Sequence, residues 1–207
     1  MYDFFLNAYK NASTIQILLE FIAFVCGILS VWFAKKENIL VYPIGIISTI
    51  ITSYLLFLAG YLGDMMVNAY FTIMSIYGWF CWSKVNPKSG VLSISNITTK
   101  ERNIGFIMFL GTILVVFGIY KFFDYDIKAD NYLDMVASGI FFVAMWYMAK
   151  KKLQNWTLWI AGNIFVIPLY AFRGYGMLVI QYIIFTILAI MAYKQWKKNL
   201  DNSRQIS

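Results

Sequence analysis

The sequence predicts an all-α polytopic membrane protein, with seven transmembrane helices in a 3+1+3 arrangement. Two parallel three-helix repeats flank a linker helix. Three observations predict it. Of 207 residues, 61% are hydrophobic, 19% aromatic and only 13% charged, whereas a soluble domain is about 45–50% apolar and about 25% charged. The apolar residues gather into seven runs of bilayer-spanning length. The chain also aligns with itself, without gaps, at a single offset.

A span takes about 20 mostly apolar residues at about 1.5 Å rise per residue. The runs fall at 15–34, 39–58, 61–82, 103–120, 130–149, 156–172 and 175–195. Ahead of them Tyr2, Phe5 and Tyr9 stand at helical spacing, which reads as a short interfacial helix. No basic cluster precedes a small-residue cleavage site, so no removable signal peptide is expected. Span 1 carries Glu20 near its outer end, and span 5 carries Asp134 in the same place. Cys26 and Cys81 stand single in apolar runs and read as small core residues. Span 2 holds the hydroxyls of Ser48, Thr49, Thr52 and Ser53, and span 3 holds Asn68, Thr72 and the stretch "YGWFCW". The linker 83–103 is polar and turn-rich, a surface loop before span 4. Asn155 reads as the N-cap of span 6. The chain is therefore a single membrane domain over 1–207. Its parts are a first repeat at 15–82, a loop, linker helix and outer loop at 83–129, a second repeat at 130–196 and a cytoplasmic tail at 197–207.

Lysine and arginine orient these spans. The loops after spans 1, 3 and 5, together with the tail, hold 13 of the 17 basic residues. The positive-inside rule puts that side in the cytoplasm and the N-terminus outside. The outer half then carries −3 and the inner half +10. The overall +7 is thus a topology signal and does not imply a nucleic-acid partner. The acidic outer surface would concentrate a cationic solute, or is solvated loop charge with no role.

At an offset of 114 residues spans 1–3 align with spans 5–7: Trp32 meets Trp146, Lys36 meets Lys150, and Gly60-Tyr61 meets Gly174-Tyr175. "YFTIMSIYGWFCWSK" (70–84) matches "IFTILAIMAYKQWKK" (184–198) at six of fifteen positions. Each unit has three spans, so the fourth restores a common orientation and makes the halves parallel repeats about a pseudo-two-fold along the membrane normal. That SWEET-like plan places substrate near the midplane between the repeats.

Polar groups at that depth are costly unless they meet a partner or a solute. Asn163 lies seven residues inside span 6, about 10 Å deep at 1.5 Å per residue, with Asn68 and Gln181 at similar depth from the other side. Thr49 is the repeat mate of Asn163. These amides and hydroxyls suit an uncharged hydrogen-bonding site, or clasps between helices. Trp156 stands at the interface, where belt tryptophans anchor helices. Trp159, a turn deeper on the Asn163 face, can stack on a solute or pack in the core, and Trp79 and Trp82 leave belt and pocket equally open. No basic residue lies at mid-depth, so a retinal-type lysine is missing: Lys194 sits at the end of span 7. Without histidine, paired central carboxylates or metal-type spacing, no catalytic residue, metal or cofactor is expected.

The motifs "SIYGWFCW", "NWTLWIAGN" and "QYIIFTILAIMAYKQW" resemble the Pnu family of vitamin transporters, nearest its nicotinamide riboside branch. The resemblance covers nearly the whole chain. It implies facilitated diffusion in the bacterial inner membrane, with direction supplied by a cytoplasmic vitamin kinase that phosphorylates the solute. It assigns substrate contact to Trp156, Trp159 and Asn163, and to Asn68 and Gln181. Trp79, Thr49 and Tyr182 complete the candidates. Nicotinamide riboside joins a cationic pyridinium, a carboxamide and a ribose, and a desolvated cation over an indole is worth about 2 kcal/mol or more. Thiamine and riboflavin, substrates of other relatives, remain alternatives, as does a non-transporting subunit or receptor. A homo-oligomer is compatible with the sequence.

Overall fold

A computed structural model describes residues 13–58, 62–86, 90–122, 124, 129–172 and 176–206. The expected interfacial helix at the N-terminus lies outside them. The described residues form seven helices: α1 (Thr14–Lys35), α2 (Val41–Leu58), α3 (Leu62–Ser83), α4 (Thr99–Phe122), α5 (Ala129–Ala149), α6 (Asn155–Phe172) and α7 (Gly176–Ile206). Six of them are long and apolar enough to cross a membrane. The exception is α3, where seven spans were expected: it matches the others at 22 residues, but its amide, its hydroxyls and its tyrosines and tryptophans dilute its hydropathy.

Helices pack in sequence, α1 on α2 on α3 and α5 on α6 on α7, and the two sets meet where α1 touches α7 and α3 touches α5. The linker helix α4 packs along α5. With neighbours on three sides, α5 is the most enclosed of these six, 56% of its apolar stretch being buried against at most 33% in the other five. Elsewhere the large apolar side chains are widely exposed, as a lipid-facing surface requires.

Local chemistry sets the ends. Ser13 accepts from the backbone of Gln16, and the Gln16 side chain accepts from the backbone of Ser13, a capping box that starts α1. Thr98 and Glu101 form the same box ahead of α4, which explains why that helix begins earlier than hydropathy alone places it. Asn155 departs from its expected cap role. Its side-chain amide donates back to the carbonyl of Lys152 at 2.6 Å, and the helix begins with it.

The turns after α1 and α5 are built alike. Each contains a non-glycine residue with positive φ, Glu37 at 55° and Lys151 at 50°, a conformation that closes helices but is unfavourable for side chains with a Cβ. Their hydrogen bonds recur in parallel: Glu37 donates to Ala34 and Lys151 to Met148, Asn38 to Phe33 and Lys152 to Tyr147, Val41 to Asn38 and Asn155 to Lys152. The two positive-φ residues, 114 apart, also pair with each other at 3.3 Å.

Beside this pair lies the principal core. Tyr42 meets Trp82 edge-on at 5.1 Å, and Trp156 meets Trp196 edge-on at 5.4 Å. The Trp82 indole donates to the carbonyl of Met148, and the Trp196 indole donates to that of Ala34. A buried indole removes about 150–250 Å² from solvent, of order 4–6 kcal/mol relative to water. Trp156 is therefore a core residue at 1% exposure, not a belt anchor.

Two further expectations change. The linker is more than a surface loop: strands β1 (Val85–Asn86) and β2 (Gly90–Val91) pair in it, and Ser95 bridges to the α5–α6 turn through Lys151 and Leu153. Lys152 adds an ion pair to Glu101 at 3.0 Å. The tail is helical as well, because Ala189, Ala192, Trp196 and Leu200 make one buried stripe along α7, which runs on to Ile206. Cys26 and Cys81 are free and half-buried.

Candidate functional site

Trp159 and Asn163 sit one turn apart on α6, on one face. Asn163 is buried at 2% exposure. The Trp159 ring stacks on Phe141 of α5 at 5.2 Å and tilts against Phe71 of α3 at 5.9 Å. Tyr182 of α7 stacks on the other reach of Phe141 at 6.4 Å and meets Tyr170 at 5.2 Å. Four helices thus place aromatic faces around one point. The approach of α5 to α6 depends on Gly162, since a Cβ there would run into the Phe141 ring.

The Trp159 indole Nε1 is buried with no hydrogen-bond partner among the described residues. A buried donor without an acceptor costs about 1–3 kcal/mol, and such a group calls for a reason. An acceptor on an entering solute would supply one.

Through Phe185, 6.0 Å from Tyr182, this cluster continues into a smaller and more polar wall. A Cβ added to Gly27 of α1 would stand 3.3 Å from the Ser48 hydroxyl, 3.3 Å from Phe185 and 3.9 Å from the Gln181 amide nitrogen. Ser48 donates to the carbonyl of Ala23 at 2.7 Å. Thr49 is joined to Thr72 at 2.7 Å, and Thr72 also bonds the carbonyl of Asn68 at 3.1 Å. The threonine hydroxyls therefore clasp α2 to α3, and either would have to exchange that bond for one to a solute. Residues 114 apart differ in size across the two walls: Gly27 stands against Phe141, Ser48 against Gly162, and Thr49 against Asn163.

Of the sequence candidates, Trp159, Asn163 and Tyr182 belong to the aromatic wall, Gln181 to the small wall, and Asn68 and Thr49 to the clasp between. Trp156 lies in the tryptophan core. Trp79 shares the helical face of Asn68 and Thr72 but is 42% exposed. Sequence reasoning missed Phe141, Phe71 and Tyr170.

Residues 17–198 match the family model described as nicotinamide mononucleotide transporter. The nicotinamide riboside transporter PnuC of Escherichia coli is 21% identical, over 86% of this chain and 84% of that protein. The riboflavin/roseoflavin transporter RibM of Streptomyces davaonensis is 22% identical, over 83% and 81%. A crystal structure of the vitamin B3 transporter PnuC superposes with a TM-score of 0.72 at 21% identity, covering 95% of this chain and 86% of the other. The all-helical fold described above is shared with that structure.

Proposed function

Because this chain belongs to the nicotinamide mononucleotide transporter family, as its match over residues 17–198 shows, we propose that it carries nicotinamide riboside across the bacterial inner membrane by facilitated diffusion. The observation that carries the reading is Trp159: an indole stacked on Phe141 and tilted against Phe71, with an N–H that has no partner among the described residues. The pyridinium would take a place among these rings, held by their negative faces. The carboxamide oxygen would accept from Trp159 Nε1, and the Asn163 amide would offer both a donor and an acceptor. On the small wall Gln181 would reach the ribose. Riboflavin is the second reading, favoured by the 22% identity to a flavin carrier over 83% of this chain.

The architecture goes with this function. α3 acts as the seventh span, and residues 15–82 and 130–196 are parallel repeats about a pseudo-two-fold, with α4 as the linker. Matching turns at Glu37 and Lys151 and reciprocal indole bonds to Ala34 and Met148 support that reading. The basic ends of the helices lie in the cytoplasm, so the N-terminus is outside. The core of Tyr42, Trp82, Trp156 and Trp196 is then the barrier on the cytoplasmic side. Tyr42 Oη and Trp156 Nε1 are both buried without partners among the described residues, which suits a barrier that another conformation opens. A cytoplasmic kinase that phosphorylates the riboside gives uptake its direction.

Purified protein in liposomes tests this. Labelled nicotinamide riboside should equilibrate, and unlabelled riboside should compete better than riboflavin or thiamine. Uptake of riboflavin with indifference to riboside would establish the second reading.

A further inference from the structure

A cavity of about 470 Å³ lies away from the central site, between the end of α1 and the extended part of α7. Trp32, Lys35, Lys36, Gln195 and Asn199 line it. Both ammonium groups stand over one indole, Lys35 Nζ at 4.6 Å and Lys36 Nζ at 5.1 Å from the Trp32 ring. Neither pairs with a carboxylate among the described residues. The nearby acid, Glu37, is engaged by Lys151 at 3.3 Å and by the Asn199 amide at 2.7 Å. Gln195 spends one amide hydrogen on Asn199 at 3.0 Å, leaving the other for a ligand.

We infer that this cavity binds the phosphate of an anionic phospholipid from the leaflet in which α1 ends. Two like charges held on one ring repel, and an anion between them removes the repulsion while keeping the indole contact. Lysines beside a tryptophan at a helix end suit the headgroup level. What favours a lipid over a soluble phosphate lies below the cavity. Exposed Leu18, Ile22 and Leu29 run along α1 beneath Trp32, and exposed Ile180, Ile187 and Met191 run along α7 beneath Gln195. These two helices pack together, so the stripes flank a seam for acyl chains that ends at the lysines.

The test uses the full chain in phosphatidylcholine nanodiscs with graded phosphatidylglycerol, read by thermal stability and by native mass spectrometry of retained lipid. Phosphatidylglycerol should raise the Tm of the wild type and leave one lipid bound. Lys35→Gln/Lys36→Gln should lose at least half of the shift and the retained lipid. Lys84→Gln/Lys197→Gln, which removes the same charge elsewhere, should keep both. Inorganic phosphate at millimolar concentration should leave Tm unchanged. An undiminished shift and retained lipid in the first variant, equal loss in the control, or an equal shift from inorganic phosphate would each overturn the assignment. Where the double variant does not fold, Lys36→Gln alone, at an exposed position, is read by lipid retention against the same criteria.

Discussion

Trp159 holds its N–H in a dry aromatic stack, and that group can be separated from the ring that carries it. Trp159→Phe keeps stacking on Phe141 but removes the orphaned donor. Thermal stability should hold or rise, while riboside affinity falls about fivefold or more, corresponding to roughly 1 kcal/mol for one hydrogen bond. Asn163→Leu should weaken binding by about 1–3 kcal/mol, because a polar group of the solute then stays unpaired. Its Tm should barely move. A drop in Tm with unchanged affinity would make Asn163 a clasp between helices instead. Both residues were legible in the sequence, since an amide one turn beyond a tryptophan inside a span has few uses. Trp156 was not. A tryptophan at a helix end looks the same whether it meets lipid or, as here, the Trp196 ring.

At the scale of elements, the turns after α1 and α5 are coupled through Lys151 and Glu37. Lys151 is 6% exposed and also lies 4.5 Å from the Trp82 ring, whereas Glu37 is 25% exposed. Breaking a buried pair leaves one charge stranded, while removing both is tolerated. Partial exposure of Glu37 reduces the effect. Lys151→Met should therefore destabilise by about 1–3 kcal/mol, and adding Glu37→Gln should recover most of it; chemical denaturation of the two variants checks the order. Helix positions were readable because apolar runs have a required length. Their ends were less so. The stripe through Trp196 and Leu200 that extends α7 is interrupted by Lys194, Lys197 and Lys198, which read as tail. Stitching of the linker to the α5–α6 turn depends on backbone bonds between Ser95 and residues far along the chain, and local composition does not encode those. Phe141 escaped notice for a related reason: among many apolar residues, only its contact with Trp159 distinguishes it.

For the whole molecule, what matters is whether anything drives transport. Coupled carriers hold an ion on a carboxylate or an unwound backbone near the midplane, and here the acids of α1 and α5, Glu20 and Asp134, lie six and five residues inside their helices, closer to the ends than Asn163, which lies eight inside α6. Riboside should reach equal concentrations across liposomes whether or not a sodium or proton gradient is imposed, and it should accumulate only when a riboside kinase and ATP are enclosed. Accumulation on a gradient alone would require a coupling site elsewhere. The central claim, that an aromatic and amide site built by four helices recognises a flat cationic vitamin, is reached most directly by equilibrium titration of the purified chain, following its tryptophan fluorescence. Nicotinamide riboside should quench it saturably, and both Trp159→Phe and Asn163→Leu should shift the midpoint to higher concentration without changing the fold. Saturable quenching by riboflavin or thiamine with no response to riboside, or a riboside midpoint unmoved by either substitution, would contradict the account.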